Sequence, residues 1–161
     1  MFATARRIIG MAGLVLVTLL AAVGATAATA GTASAAPRTI PQAASPTPCA
    51  VAAKACMDLS RHQAWLTDGA GNVIYGPVAS RGGTRSAPTP VGTFQVLAKD
   101  KHFYSTEFHA PMPYSVFFYP GDAFHADNTL VASNGCIHLS WSSAQHFYNT
   151  LKPGDQVQIV N

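Results

Sequence analysis

Among three cysteines and six histidines in 161 residues, one combination of the two types could carry nucleophilic chemistry. Cys136 follows Ser133-Asn134-Gly135 and precedes Ile137-His138-Leu139, and His125 lies eleven positions earlier, after Ala123-Phe124. A thiol becomes a useful nucleophile when a neighbouring imidazole takes its proton and stabilises the thiolate. The spacing suits two adjacent strand or loop ends that face each other, and Gly135 lets the backbone turn sharply enough to expose the sulfur. The N–H groups of Gly135 and Cys136 could then point at a developing oxyanion, a contribution often of a few kcal/mol per donor. Such a site would perform acyl transfer through a thioester.

The chain divides into segments before the elements that must position these groups begin. Met1 to Arg7 carries Arg6 and Arg7, an uncharged apolar stretch runs on through Leu20, and an Ala/Thr/Gly tail ends in Ala33-Ser34-Ala35. Basic, apolar and small-residue regions in that order are those of a secretory signal. Residues 1–35 are therefore read as a cleavable signal peptide, with Sec export the default and the protein delivered across the cytoplasmic membrane. The rival is an uncleaved anchor, because the uncharged run can span a bilayer core of about 30 Å; membrane contact is expected only in that case. Residues 36–48, with Pro37, Pro41, Pro46 and Pro48 among Ala, Ser and Thr, read as a linker that cannot bury a core. Residues 49–161 remain as one domain. Without the signal the chain keeps eight basic and seven acidic residues, and a nearly neutral domain without a basic face excludes nucleic acid as a partner.

The domain reads as mostly β. Met57 to Ser60 and Gln63 to Thr67 suggest short strands, and Asp68-Gly69-Ala70-Gly71-Asn72 a tight turn into a return strand at Val73-Ile74-Tyr75. Thr89 to Leu97 is a Pro/Gly turn feeding a strand with Phe94 and Val96 on one face. Further strands are expected in Tyr114 to Phe118, Ala123 to His125 and Gln156 to Val160. Lys99-Asp100-Lys101 reads as a solvated loop. One helix is expected from about Trp141 to Lys152, with Ser142 and Gln145 as a capping box and Trp141, Ala144, Tyr148 and Leu151 as its packing stripe. Lys152-Pro153-Gly154 ends it.

Cysteines of exported proteins tend to pair, and three leave one over. Cys49 and Cys56 are seven positions apart and are the natural candidates for a disulfide, with Cys136 free. The plain alternative for Cys136 is an inert buried thiol. A zinc site from His125, Cys136 and His138 draws on the right residue types, but no paired ligand set accompanies it, so neither metal nor cofactor is expected. A papain-like peptidase is disfavoured because there the cysteine precedes the histidine.

Thr89-Pro-Val-Gly-Thr-Phe94, Ala123-Phe-His125, Ser133-Asn-Gly-Cys-Ile-His-Leu139, Ala144-Gln-His-Phe-Tyr148 and Gly154-Asp-Gln-Val-Gln-Ile159, in that order, resemble the L,D-transpeptidase catalytic domain of the YkuD type over roughly Cys56 to Asn161. The resemblance implies a β-sandwich-like domain with one prominent helix near the C-terminus, in a bacterial cell-envelope enzyme. It implies that Cys136 attacks a peptidoglycan tetrapeptide stem before its terminal D-Ala, with His125 as general base held by a backbone carbonyl. D-Ala leaves, and the amine of a second stem resolves the thioester into a 3→3 cross-link. Water as acceptor would make the enzyme an L,D-carboxypeptidase. Gly135 and Cys136 would supply oxyanion-hole amides, with Ser133 supporting the loop. Carbapenems acylate the family's cysteine, so a carbapenem is an expected inhibitor.

Two departures from the family pattern stand out. Asn134 occupies the place of the usual second histidine of Ser-His-Gly-Cys, and the segment from His125 to Cys136 is short. Asn134 motivates a further reading, a catalytically weak cell-wall-binding domain that keeps the fold. His138, where Arg or Asn is frequent, is a candidate substrate contact, as are Tyr114 and Tyr119 along the donor cleft.

Overall fold

The structure, a computed structural model, describes residues 45–161; the segment read as a signal peptide and most of that read as a linker lie outside the described residues. Nine strands and one helix follow in the order β1 (Ala55–Asp58), β2 (Gln63–Thr67), β3 (Val73–Arg81), β4 (Gly92–Gln95), β5 (Ala98–Ser105), β6 (Ala110–Tyr119), β7 (Asp122–Ala126), β8 (Ile137–Leu139), α1 (Trp141–Thr150) and β9 (Gln156–Val160). They build one sheet in the order β4-β9-β1-β2-β3-β8-β7-β6-β5, the mostly β fold with a late helix that the sequence implies.

The β2–β3 hairpin forms where the turn residues demand it. Asp68 Oδ1 accepts the N–H groups of Ala70 and Asn72 at 2.8 and 3.1 Å, and Oδ2 accepts from Asn72 Nδ2 at 2.6 Å, the local bonding that makes Asp and Asn turn formers. Further along, the β3–β8 ladder is two pairs long, Ser80↔Leu139 and Arg81↔His138. So short a joint lets the sheet curl until its far strands meet. Phe94 of β4 packs on Phe118 of β6 with ring centroids 5.8 Å apart. The core between the two halves takes Met57 and Leu66 from one side and Val116, Phe118, Phe124 and Ile137 from the other. Each such side chain stabilises the fold by roughly 1.5–3 kcal/mol on burial.

The helix differs from its sequence reading in two respects. Ser140, not Ser142, caps it, with Oγ accepting the Ser143 N–H at 3.2 Å; Ser142 already lies inside the first turn. The stripe that meets the core is Ala144, Phe147 and Leu151 with the half-buried Tyr148, so Phe147 joins the expected set, whereas Trp141 stays 60% exposed and meets Tyr114 edge-on. Lys99-Asp100-Lys101 is no loop but part of β5, the sheet's outer strand, where charge discourages pairing with another chain. Lys99 Nζ donates to the Leu151 carbonyl at 2.6 Å and lies 4.4 Å above the Tyr148 ring, tying the helix end to that edge. Cys49 and Cys56 are disulfide-bonded with Cα atoms 5.8 Å apart, and with Ala53 and Trp65 they form a small cluster. Thr47, in the stretch read as linker, is buried.

Candidate active site

Strands β7 and β8 run parallel and pair Phe124↔Ile137, His125↔His138 and Ala126↔Leu139. Side chains alternate across a strand, so Phe124, Ala126, Ile137 and Leu139 enter the core while His125 and His138 share the opposite face. Cys136 stands immediately before β8 on that same face, packed with Ala123 and Met112.

The turn that delivers Cys136 is held from several sides. Gly135 has φ 117°, and a side chain there would run into the Asp122 carboxylate, so glycine is required on both counts. Ser133 Oγ donates to the Cys136 carbonyl and accepts the Gly135 N–H at 3.1 Å. That amide is thus engaged in the resting site and must exchange its bond to serve an oxyanion. Thr89 adds a second support: its hydroxyl donates to the Cys136 carbonyl at 3.4 Å and accepts the Gly83 N–H at 2.8 Å. The Thr89 to Phe94 motif, to which the sequence assigned no chemistry, therefore holds the nucleophile's backbone.

His125 is buried and its Nδ1 bonds to the Ala126 carbonyl at 3.2 Å. As a donor to that oxygen, Nδ1 carries the hydrogen, and Nε2 keeps the lone pair a base needs. Burial, reinforced by His138, pushes the imidazole down to about 4. Burial likewise pushes the Cys136 thiol up to about 11, with the carboxylates of Asp122 and Asp127 adding to the rise. Its Sγ lies 3.8 Å from the Gly121 carbonyl. Near neutral pH the resting pair is therefore thiol and neutral imidazole, not thiolate and imidazolium.

Both groups open on a cavity of about 670 Å³ that the β5–β6 connection overhangs, with Glu107, Phe108, Met112 and Phe117 in its walls. Ser133, Asn134 and His138 line it too; Asn134 is exposed. His138 Nδ1 bonds to the Val131 carbonyl at 2.9 Å and lies 3.3 Å from that of Asn128, so the ring clamps the short loop between base and nucleophile. Tyr114 and Tyr119 do not line the cavity. Tyr114 is buried against Trp141 and Tyr148 of the helix, and Tyr119 packs edge-on to Phe94; β6 is irregular at both places, with φ 59° at Tyr114 and a register shift between Phe117 and Tyr119, so neither follows Met112 and Phe117 into the cleft. The sequence reading missed Asp122 and Asp127, although Asp127 stands two residues after His125, the spacing that puts two side chains on one face of a strand. Ligand atoms of His125, Asp127 and His138 lie within 4.8 Å of one another, so Asp127 takes the place the sequence would have given Cys136 in a metal set.

Residues 53–159 match the family model of the L,D-transpeptidase catalytic domain, YkuD. Among solved structures, an L,D-transpeptidase from Stackebrandtia nassauensis is 26% identical with a TM-score of 0.63, over 66% of this chain and 54% of that one. An L,D-transpeptidase from Mycobacterium tuberculosis H37Rv is 25% identical with a TM-score of 0.60, over 68% and 58%. The fold is also that of LD-transpeptidase LdtMt1 in complex with imipenem, at 23% identity and a TM-score of 0.59, over 66% and 57%. The aligned region thus spans little more than half the length of these chains. No curated protein matches the chain.

Proposed function

The chain belongs to the YkuD family of L,D-transpeptidase catalytic domains, and from that premise we propose that it is an exported cysteine acyltransferase that cross-links peptidoglycan stem peptides. The observation that carries this reading is the parallel pairing of β7 and β8, which sets His125 and Cys136 on one face at the wall of one cavity.

The donor is a tetrapeptide stem. As it fills the cavity, His125 Nε2 takes the Cys136 proton and the sulfur attacks the carbonyl preceding the terminal D-Ala. The Cys136 N–H, and the Gly135 N–H once released from Ser133, stabilise the oxyanion. Collapse of the tetrahedral intermediate breaks the amide; His125 returns its proton to the departing D-Ala amine and a thioester remains on Cys136. The amine of a second stem then attacks, His125 accepts its proton, and expulsion of the thiolate gives the 3→3 cross-link. Water in place of the amine gives the L,D-carboxypeptidase outcome. The neutral resting pair suits a site in which the thiol gives its proton to His125 as the sulfur attacks, so that charge develops only where the oxyanion donors meet it.

Export is part of the proposal. It rests on the basic, apolar and small-residue order of residues 1–35 and on the Cys49–Cys56 disulfide, which persists in oxidising compartments outside the cytoplasm. A carbapenem is the natural probe, since LdtMt1 forms a complex with imipenem. Intact mass after incubation with imipenem should show one adduct, lost in Cys136→Ala. An unmodified wild-type chain would favour the weak wall-binding reading that Asn134 motivates. Products from purified tetrapeptide stems then separate cross-linked dimer from free tripeptide.

A further inference from the structure

His125 and His138 both bond to backbone carbonyls through Nδ1, the first to Ala126 at 3.2 Å and the second to Val131 at 2.9 Å. Each ring in its neutral form therefore presents an Nε2 lone pair. The pairing of β7 with β8 sets the two rings side by side, with centroids 5.0 Å apart. Asp127 turns its carboxylate to the same point. Its Oδ1 accepts the Asn128 N–H at 2.7 Å, while Oδ2 lies 3.5 Å from His138 Nε2. Lone pairs on nitrogen, nitrogen and oxygen thus converge with no hydrogen between them, an arrangement that attracts a cation.

We propose that His125, Asp127 and His138 form a binding site for a divalent transition-metal ion of the zinc class, with its remaining coordination position open to the cavity. Imidazole and carboxylate are the ligand types such ions take, and carbonyls behind the Nδ1–H groups are the second shell that fixes a ligating histidine's tautomer. Tetrahedral zinc with bonds of about 2.0–2.1 Å separates its ligand atoms by roughly 3.3 Å. Asp127 and His138 already stand 3.5 Å apart, and the half-exposed Asp127 side chain has room to adjust. Cys136 is not in the set: its sulfur lies against the Gly121 carbonyl. The ion would compete with proton transfer, because it occupies the lone pair on His125. That consequence rests on the acyl-transfer reading, whereas the site itself does not.

Titration calorimetry of the purified full chain with Zn²⁺ should give one ion per chain. Binding should weaken at least tenfold in Asp127→Asn and in His138→Gln, and hold in Cys136→Ser, with circular dichroism verifying that each variant is folded. Co²⁺ should give visible d–d bands without a thiolate-to-cobalt charge-transfer band. Absence of binding, loss in Cys136→Ser, or affinity unchanged in both Asp127→Asn and His138→Gln would overturn the site. Zinc should also slow acylation by imipenem, with recovery in EDTA. If the ion binds through these ligands and acylation is unaffected, the role given to His125 fails and the metal site stands.

Discussion

The imidazole of His125 meets that of His138 edge-on, with centroids 5.0 Å apart and planes at 78°. So close a ring opposes protonation of His125, and burial of His125 is the larger part of what holds it down to about 4. The nucleophile shares the pocket's penalty for charge, and four measurements follow from that electrostatic state and from the contacts around it.

Alkylation of metal-free protein by iodoacetamide reads the thiol directly. Cys136 should react slowly at neutral pH and accelerate about tenfold per pH unit toward about 11, because only thiolate attacks. A plateau already reached near pH 7 would contradict a neutral resting pair. His125→Asn should leave this profile high while lowering acylation by peptide substrate on the order of 10²–10⁴-fold.

Stability should peak between these two titrations. His125 falls from its ordinary 6.5 to about 4, so the unfolded chain takes up a proton that the folded one refuses. The stability this contributes is present above pH 6.5 and is lost as pH falls toward 4. Cys136 rises from 9.0 to about 11, so its contribution is complete below pH 9 and is lost as pH climbs toward 11. Each window spans about 3 kcal/mol. Denaturant melts with EDTA across pH 4–11 check the shape, and His125→Asn should flatten the acid limb alone.

Ser133→Ala should remove both bonds that Ser133 Oγ makes to the nucleophile's turn. Leaving a buried amide unpaired costs about 1–3 kcal/mol. Donor acylation should fall more than the alkylation rate does, because the thiol remains but its backbone is no longer held. Equal losses in both rates would show instead that Ser133 acts on the sulfur.

Replacing Cys49 and Cys56 together by alanine should cost about 2–3 kcal/mol, the loop-closure contribution expected for so short a separation, without altering acylation of Cys136. Thiol counting on the unreduced protein should find one reactive group after denaturation, and three would refute the bond.

Much of this architecture is legible in local chemistry. Asp68 to Asn72 announces its turn through side chains that bond their own backbone, and Gln156 to Val160 alternates in burial as a half-buried strand must. Cys136 and His125 could be singled out because few residue types do nucleophilic and basic work. Local pattern fails where position in the sheet decides. Lys99 to Lys101 looks like loop until β5 is seen to be an outer strand that tolerates charge. Tyr114 resembles a cleft residue until the break in β6 at its own φ of 59° turns it toward the helix. The partnership of Asp127 with His138 depends on a parallel pairing that neither segment encodes alone.

The same sheet order separates two demands on the protein. Base and nucleophile sit on β7 and at the start of β8, inner strands paired on both sides, so their relative geometry is set by the parallel ladder that joins those two strands. Glu107 and Phe108, which overhang the cavity, hang from the β5–β6 connection at the free margin. Insertions or exchanges in the turn of that hairpin can retune which peptide is accepted while proton transfer, on the next two strands inward, goes on undisturbed.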